Sequence, residues 1–582
     1  MRAAVGVLLV GVVTLAGALA LVAGLRPPPV APAAEPAVKL AVLIVFDQLR
    51  GDMLQRWQPL FRSDGFVRLQ REGAWFTHCY YPYGTTTTGP GHASMLTGTC
   101  GDVHGIINNN WFENGLAVYC AGADRYELVP PLPAFPTKGK GKTSTSKEPK
   151  EIGTPERLRS ETVADVLKEA TAQRAKVFGL SLKDRSAILP TGQRPDGAYW
   201  FYGVFGTSTY YRDTVHPWVK AFNESRWADR WFGHDWTRYR PDVDYELWSS
   251  PDYSPGEGSG VAQGVAFPHP TTGGSPTLGP KYYEALANSP FGNDLLWAFA
   301  KTCIRAEQLG LRDVPDLLVI SFSSNDLIGH TWGPDSQEVL DVTLRSDALM
   351  AEMLDFLDRQ VGRDRYILAL TADHGIGPLT QRSFAQGLLP KDLRVDTTAL
   401  QNALNAHLNT VFATVSDRDG AAAKWIEAVV LPWFYLNPRV VKACGQSFEA
   451  VTAEAAKFLS TQEGIARVFT RQQLMGSMAP ADEIAYRMKR SFDPLRSGDL
   501  GVVLVPYALP GKPGSTGTTH GAPYNYDRHV PLLVYGPGIR GGIRTEPTTP
   551  QAIASIFAEW LRIRRPKDAE FPIPTTLRET SR

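Results

Sequence analysis

The sequence predicts an α/β fold, a mostly parallel sheet sandwiched between helices with further segments inserted as caps. Three observations predict it. Continuous apolar runs such as Leu40–Phe46 read as strands buried on both faces. Such runs alternate with helical periodicities along most of the chain, the pattern of an α/β sandwich. Several runs end on charged or polar residues, and ligands of open α/β sheets bind beyond the carboxyl ends of strands.

At 582 residues the chain exceeds one typical domain and implies a large core with insertions. Hydrophobic residues make up 43% and charged residues 20%, an ordinary globular composition. A formal net charge of +1 gives no global electrostatic reason to expect a nucleic-acid partner. Met1-Arg2 precedes an uncharged apolar run from Ala3 to Leu25, followed by Arg26 and three prolines. This reads as an export signal or, since it is long enough to span a bilayer, a retained N-terminal anchor. Both readings place the bulk of the chain in the periplasm or outside the cell. The five cysteines (Cys79, Cys100, Cys120, Cys303, Cys444) match no zinc-finger spacing, and buried thiols plus one or two bridges are expected.

In order, the leader and a Pro/Ala-rich tether occupy residues 1–37, and core segments follow at 38–200, 291–396 and 479–582. An aromatic-rich insertion falls at 201–290, carrying Trp218, Trp227, Trp231, Trp236 and Trp248. A second insertion or cap falls at 397–478. Strands are expected at Leu40–Phe46, Lys176–Leu180, Leu317–Phe322, Tyr366–Leu370, Leu500–Val505 and Pro531–Tyr535, the last two completing the sheet. The stretch 137–155 is polar, lysine-rich and aperiodic, so it reads as a surface loop. Ser160 reads as the N-cap of a helix continued by Val163, Val166, Leu167 and Ala170. A long amphipathic helix is expected over Val339–Leu357.

The chain is organised around Tyr81–Trp111, where four threonines (Thr85–Thr88) precede Gly89-Pro90-Gly91-His92 and a small-residue run that opens a helix. A hydroxyl at a helix start lies beside unpaired N–H groups that favour an anion. Threonine is a poor nucleophile until a metal or base lowers its pKa. The later strand ends supply that activator: Asp47, Asp326 with His330, Asp373 with His374, and His520. Singly each has a bland explanation, a turn aspartate or a satisfied histidine. Together they form a carboxylate and imidazole set without cysteine, which suits zinc.

The motifs VFDQLRGD, TTTTGPGHASMLTG, HGIINNNW, SLKDR, NDLIGH, ADHG and THG follow one another in the order found in a known family. The chain resembles the alkaline phosphatase superfamily, most of all its phosphate-irrepressible alkaline phosphatases, with nucleotide pyrophosphatase/phosphodiesterases as near relatives. The resemblance runs from about Val42 to Pro537. It implies an alkaline-phosphatase-like sandwich and two zinc ions, one on Asp326, His330 and His520, the other on Asp47, Asp373, His374 and the Thr88 hydroxyl. It implies Thr88 as the nucleophile, four residues before His92, with Thr85, Thr86 and Thr87 as competing choices. His92 and His104 are expected to support the ligands or the fold rather than to bind metal. Asn109 falls where relatives donate to a phosphate oxygen, with Asn108 and Asn110 as neighbouring alternatives, and Lys183 and Arg185 match paired cations.

The resulting expectation is an exported zinc phosphomonoesterase acting on small phosphate monoesters at alkaline pH through a covalent phosphothreonine. The oligomeric state is not readable from the sequence. A phosphodiesterase or nucleotide pyrophosphatase on the same site is the first alternative. A zinc-binding surface protein without activity is the second.

Overall fold

The computed structural model describes residues 38–577 except 114, 137–142, 145–150, 413, 415–421 and 478–480. The expected leader and tether, and most of the lysine-rich loop, lie outside the described residues. The strands that position the site are, in chain order, β1 (Leu40–Phe46), β2 (Ala74–Phe76), β3 (Asn110–Glu113), β4 (Leu116–Tyr119), β5 (Leu128–Val129), β6 (Val177–Ser181), β7 (Gly197–Phe201) and β8 (Phe205–Ser208). They continue with β9 (Asp316–Phe322), β10 (Tyr366–Thr371), β11 (Ile426–Val430), β12 (Trp433–Leu436), β13 (Ile465–Thr470), β14 (Leu500–Leu504), β15 (Leu532–Tyr535) and β16 (Gly542–Arg544).

The central ten-stranded sheet has the order β16-β2-β15-β10-β1-β9-β6-β7-β8-β5. Five of its nine pairings are parallel, and four are antiparallel. The parallel pairings cluster in the middle, where β10, β1, β9, β6 and β7 lie side by side. The mostly parallel α/β architecture expected from the sequence is the one observed. Every residue of β1, β6, β9 and β10 is buried, which is why these strands are near-continuous apolar runs rather than alternating ones. Parallel neighbours bring their carboxyl ends to one edge, so the residues after β10, β1, β9 and β6 meet there.

The helices used below are α1 (Thr88–Thr97), α2 (Val163–Ala170), α3 (Asp184–Ile188), α4 (Ser324–Trp332) and α5 (Gln337–Gln360). The expected long helix is α5, opened by the Ser336 side chain, which accepts the Val339 N–H at 3.2 Å. The cap of α2 is Thr162 and not Ser160. Its hydroxyl accepts the Asp165 N–H at 3.3 Å, and Asp165 Oδ2 accepts the Thr162 N–H at 2.8 Å. The reciprocal bond needs an acceptor side chain three residues on, which Asp165 provides for Thr162 and Val163 cannot provide for Ser160.

Two further expectations are corrected. Leu500–Leu504 does not complete the central sheet. It is an inner strand of a separate four-stranded antiparallel sheet, β11-β12-β14-β13. An apolar run announces burial, but periodicity does not say in which sheet. The expected bridges are not seen among the described residues, where Cys79, Cys100, Cys120 and Cys303 are buried thiols.

One carboxylate of α5 gathers several contacts from the aromatic-rich insertion, beside the buried Glu338–His269 pair at 3.0 Å. Buried Asp341 accepts from Trp236 Nε1 at 2.7 Å, the Tyr239 N–H at 2.6 Å, the Tyr245 hydroxyl at 2.6 Å and Arg345 Nε at 2.7 Å. Its removal strands several buried donors at once. Asp341→Ala is expected to lower unfolding stability by about 3 kcal/mol or more, from donors worth about 1–3 kcal/mol each when unsatisfied. Urea unfolding followed by tryptophan fluorescence checks this; a change below about 1 kcal/mol would show that the insertion is anchored elsewhere.

Candidate active site

Four adjacent parallel strands deliver the first group of residues. Asp47 follows β1, Lys183 follows β6, Asp326 lies in the first turn of α4 after β9, and Asp373-His374 follows β10. His330 stands one helical turn beyond Asp326 on the same face of α4, and His520 enters from the loop before β15. His330 Nε2 is 3.1 Å and His520 Nε2 3.6 Å from Asp326 Oδ1. His374 Nε2 is 3.5 Å from Asp47 Oδ1 and 3.3 Å from Asp373 Oδ2.

The three histidines are held alike. His330 Nδ1–H donates to the Thr518 carbonyl at 2.8 Å, His374 Nδ1–H to the Gly375 carbonyl at 2.9 Å, and His520 Nδ1–H to the Thr86 carbonyl at 2.7 Å. A carbonyl can only accept, so each proton is fixed on Nδ1 and each Nε2 lone pair is turned toward the carboxylates. That is the tautomer a metal-ligating histidine uses.

The ligand atoms of Asp326, His330 and His520 lie within 4.8 Å of one another, as do those of Asp47, Asp326 and His374. Asp326, rather than Asp373, completes the second of these groups. Asp373 sits against it: Oδ1 accepts the Gln48 N–H at 3.2 Å, and Oδ2 faces His92 Nδ1 and His374 Nε2 at 3.3 Å each. Asp47 Oδ1 and Asp373 Oδ2 are buried without a hydrogen-bond donor. Burial, together with Asp326 and Asp373, pushes the Asp47 carboxyl well above the carboxylate range, and burial with two neighbouring imidazoles pushes His520 well below its ordinary value. Three carboxylates with two orphaned oxygens and three inward lone pairs fit divalent cations, and the donor set fits zinc.

The four threonines differ in what their hydroxyls face. The Thr86 hydroxyl donates to the Ala522 carbonyl at 3.0 Å and the Thr87 hydroxyl to Asn108 Oδ1 at 3.0 Å, while Thr85 is buried. Thr88, first residue of α1, is the one that faces the cluster, with Oγ1 3.4 Å from His374 Nε2. The asparagine is resolved too. Asn108 is engaged at both ends, its Oδ1 by Thr87 and its Nδ2 by the Leu431 carbonyl at 2.7 Å, and Asn110 is exposed. Asn109 Oδ1 accepts the Gly89 N–H at 2.7 Å, next to Thr88, which leaves its Nδ2 donor turned away from the helix. Lys183 Nζ is 2.6 Å from Asp47 Oδ2 and 2.5 Å from Asp326 Oδ2. Arg185 follows one residue into α3.

His92 and His104 lie buried outside the ligand groups. His92 joins the Thr88 carbonyl at 2.9 Å to Ser321 Oγ at 2.8 Å, and His104 meets Ser94 Oγ at 3.0 Å. The four-stranded sheet borders the site, because an apolar groove lined by Leu431, Val503, Leu504 and Leu509 is flanked by Thr87 and His520.

Residues not singled out from the sequence also build the site. Gln48 is buried with φ 70°, a left-handed backbone that is rare outside glycine. This turns its Nε2 to Asp326 Oδ1 at 2.6 Å while its N–H reaches Asp373. Two glycines make room: a methyl on Gly329 would run into Gln48 Oε1, and one on Gly91 would run into the Asp373 backbone. The signals were present in VFDQLRGD, NDLIGH and TTTTGPGH, but only the fold shows what each glycine approaches.

Residues 41–430 match the model of the type I phosphodiesterase / nucleotide pyrophosphatase family. Alkaline phosphatase PafA of Elizabethkingia meningoseptica is 32% identical over 92% of this chain and 94% of its own. A protein of Myroides odoratus named calcium-transporting ATPase is 32% identical over 91% of this chain and 92% of its own. A crystal structure of wild-type PafA matches with a TM-score of 0.83 and 30% identity, covering 94% of this chain and 100% of that one. A further PafA structure carries substitutions at a threonine, an asparagine, a lysine and an arginine. The interval between that threonine and asparagine equals the one between Thr88 and Asn109, and the lysine and arginine are spaced as Lys183 and Arg185 are.

Gln48 and Gly329 act on the ligands from behind, where loss of a supporting contact weakens a metal site by about 10–100-fold. Gln48→Leu and Gly329→Ala are each expected to weaken zinc binding by about tenfold or more at unchanged secondary structure. Competition with a chromogenic chelator measures it; wild-type affinity in both variants would remove Gln48 from the site.

Proposed function

The chain belongs to the type I phosphodiesterase / nucleotide pyrophosphatase family, within the alkaline phosphatase superfamily, and from that premise we propose that it hydrolyses phosphate monoesters through a covalent phosphothreonine. The observation that carries this reading is the pair of cations at the start of α3, one of them against the carboxylate cluster. Lys183 reaches the carboxylate cluster at 2.5 and 2.6 Å, and Arg185 is its neighbour but one. A monoester dianion presents one more charged oxygen than a diester, and a lysine–arginine pair matches that charge. The name of PafA, a relative across nearly the whole chain, supports the same reading.

Asp326, His330 and His520 would hold one divalent ion, and Asp47, His374 and Asp373, the last 3.3 Å from His374, a second beside Thr88, with Asp326 within reach of both. Bound there, zinc lowers the pKa of a neighbouring hydroxyl and offsets charge on a leaving oxygen. Thr88 Oγ1 attacks phosphorus in line; the Oγ1–P bond forms as the ester P–O bond breaks, and the alcohol departs. Water then attacks the phosphothreonine, the P–Oγ1 bond breaks, and inorganic phosphate leaves with Thr88 restored. Asn109 Nδ2, Lys183 and Arg185 donate to the non-bridging oxygens, whose charge is spread in the transition state. The apolar run from Ala3 to Leu25 supports export, and activity in the periplasmic or secreted fraction is its check.

The family description favours a second reading, a phosphodiesterase on the same residues. The relative named a transporting ATPase makes ATP worth including as a substrate; among the described residues no helix is long and apolar enough to cross a membrane. Rates on p-nitrophenyl phosphate, bis-(p-nitrophenyl) phosphate, p-nitrophenyl sulfate and ATP, measured side by side on zinc-loaded protein, separate these readings. The monoester is expected to be preferred by about 100-fold or more, the scale of one well-placed charge contact in the transition state. A preference for the diester would overturn the assignment. Thr88→Ala should lower kcat by roughly 10⁴-fold or more, and chelation should abolish turnover until zinc is restored; a Thr88→Ala enzyme of normal rate would refute the nucleophile.

A further inference from the structure

The hairpin that leaves Asn109 returns to the same pocket on its second strand. β3 and β4 pair so that Asn110 faces Tyr119, and the Cys120 N–H donates to the Asn109 carbonyl at 2.9 Å. The Tyr119 backbone is itself pinned, its N–H donating to Glu151 Oε2 at 2.6 Å. Its side chain crosses to α3. There the phenol donates to Asp184 Oδ1 at 2.5 Å and accepts from Arg185 Nη1 at 3.4 Å. Asp184 Oδ1 also accepts the Arg185 backbone N–H at 2.7 Å, so one carboxylate holds both the tyrosine and the start of α3. Burial and the Asp184 charge push the phenol well above its ordinary pKa, so it remains a neutral donor.

Arg185 has an otherwise unfastened head. Among the described residues the Tyr119 hydroxyl is the hydrogen-bond partner of its guanidinium, and Nε is buried without a protein acceptor. A buried unpaired donor is costly unless a ligand oxygen meets it. The guanidinium edge that carries Nε is the fork that binds two oxygens of a phosphoryl group. Tyr119 takes Nη1 and thereby leaves that edge free.

We propose that Tyr119 is a positioning residue for the phosphate clamp: its hydroxyl aims Arg185 and, through β3 and β4, locks it to Asn109. Two donors from distant parts of the chain then meet the phosphoryl oxygens as one rigid unit. A long arginine side chain held at one nitrogen keeps little of its rotamer freedom, so less order must be imposed when substrate arrives. The inference rests on the phosphomonoesterase reading, since it assumes that Arg185 and Asn109 meet a phosphoryl dianion.

The test is Tyr119→Phe, which removes the hydroxyl and keeps the ring, in wild-type and Arg185→Ala backgrounds. In the wild-type background kcat/KM for p-nitrophenyl phosphate should fall about tenfold, and competitive inhibition by inorganic phosphate should weaken in parallel. The rate ratio of p-nitrophenyl phosphate to bis-(p-nitrophenyl) phosphate should fall by a similar factor, because the diester lacks the extra charged oxygen. In the Arg185→Ala background the same change should cost less than about twofold, because the group it aims is gone. A purely structural role would lower monoester and diester rates alike and in both backgrounds, which overturns the proposal, as does an unchanged Tyr119→Phe enzyme. If Tyr119→Phe does not fold, Asp184→Asn breaks the same link and is held to the same outcomes. A wild-type protein without monoesterase activity instead overturns the functional reading, and the inference falls with it.

Discussion

The ammonium of Lys183 lies between Asp47 and Asp326, at 2.6 and 2.5 Å, where three carboxylates are buried together. One positive charge faces three acidic groups, and two carboxylate oxygens still lack a partner. Burying like charges at such range is strongly unfavourable unless further cations complete the set. This imbalance makes sense of the surroundings. It explains why each of three histidines has its Nδ1 proton tied to a carbonyl and its free lone pair turned inward. It also explains why Gln48 takes a strained backbone to bring two N–H groups to the same carboxylates.

The imbalance is a product of topology. Four parallel strands in the order β10-β1-β9-β6 present consecutive ends at one edge, and the sequence places an acid or a lysine just beyond each. No strand end makes the site alone. The helix α1 is then seated on this edge by Gly91 against Asp373, and it points Thr88 at the cluster. The hairpin after Asn109 and the helix α3 close the other side. Apart from His520, the groups of the candidate site thus come from the ends of strands and helices, which favours a preorganised site.

Much of this was legible in the sequence, for identifiable reasons. β1 and β10 are apolar runs long enough to be strands and too short to be helices, and their ends were marked by Asp47 and Asp373. The residues expected to act together do converge, because motif order carries topology with it. Features that depend on what lies across space were not legible. Leu500–Leu504 reads as a buried strand, but only its partners assign it to the separate sheet. The choice of Thr162 over Ser160 turned on a reciprocal bond to Asp165. Gln48 stood inside a motif, but its role comes from a backbone angle that the motif does not spell out. The five thiols were read toward bridges from their number, and number carries no geometry.

Lys183 also bears on the stability of the cluster before any ion is bound. In small zinc domains the ion is needed before the chain can fold, because nothing else neutralises the ligands. Here a tethered ammonium already offsets part of the charge, and the ten-stranded sheet supplies the core independently of the cluster. The cluster is thus partly neutralised, and the core packed, by the chain's own groups.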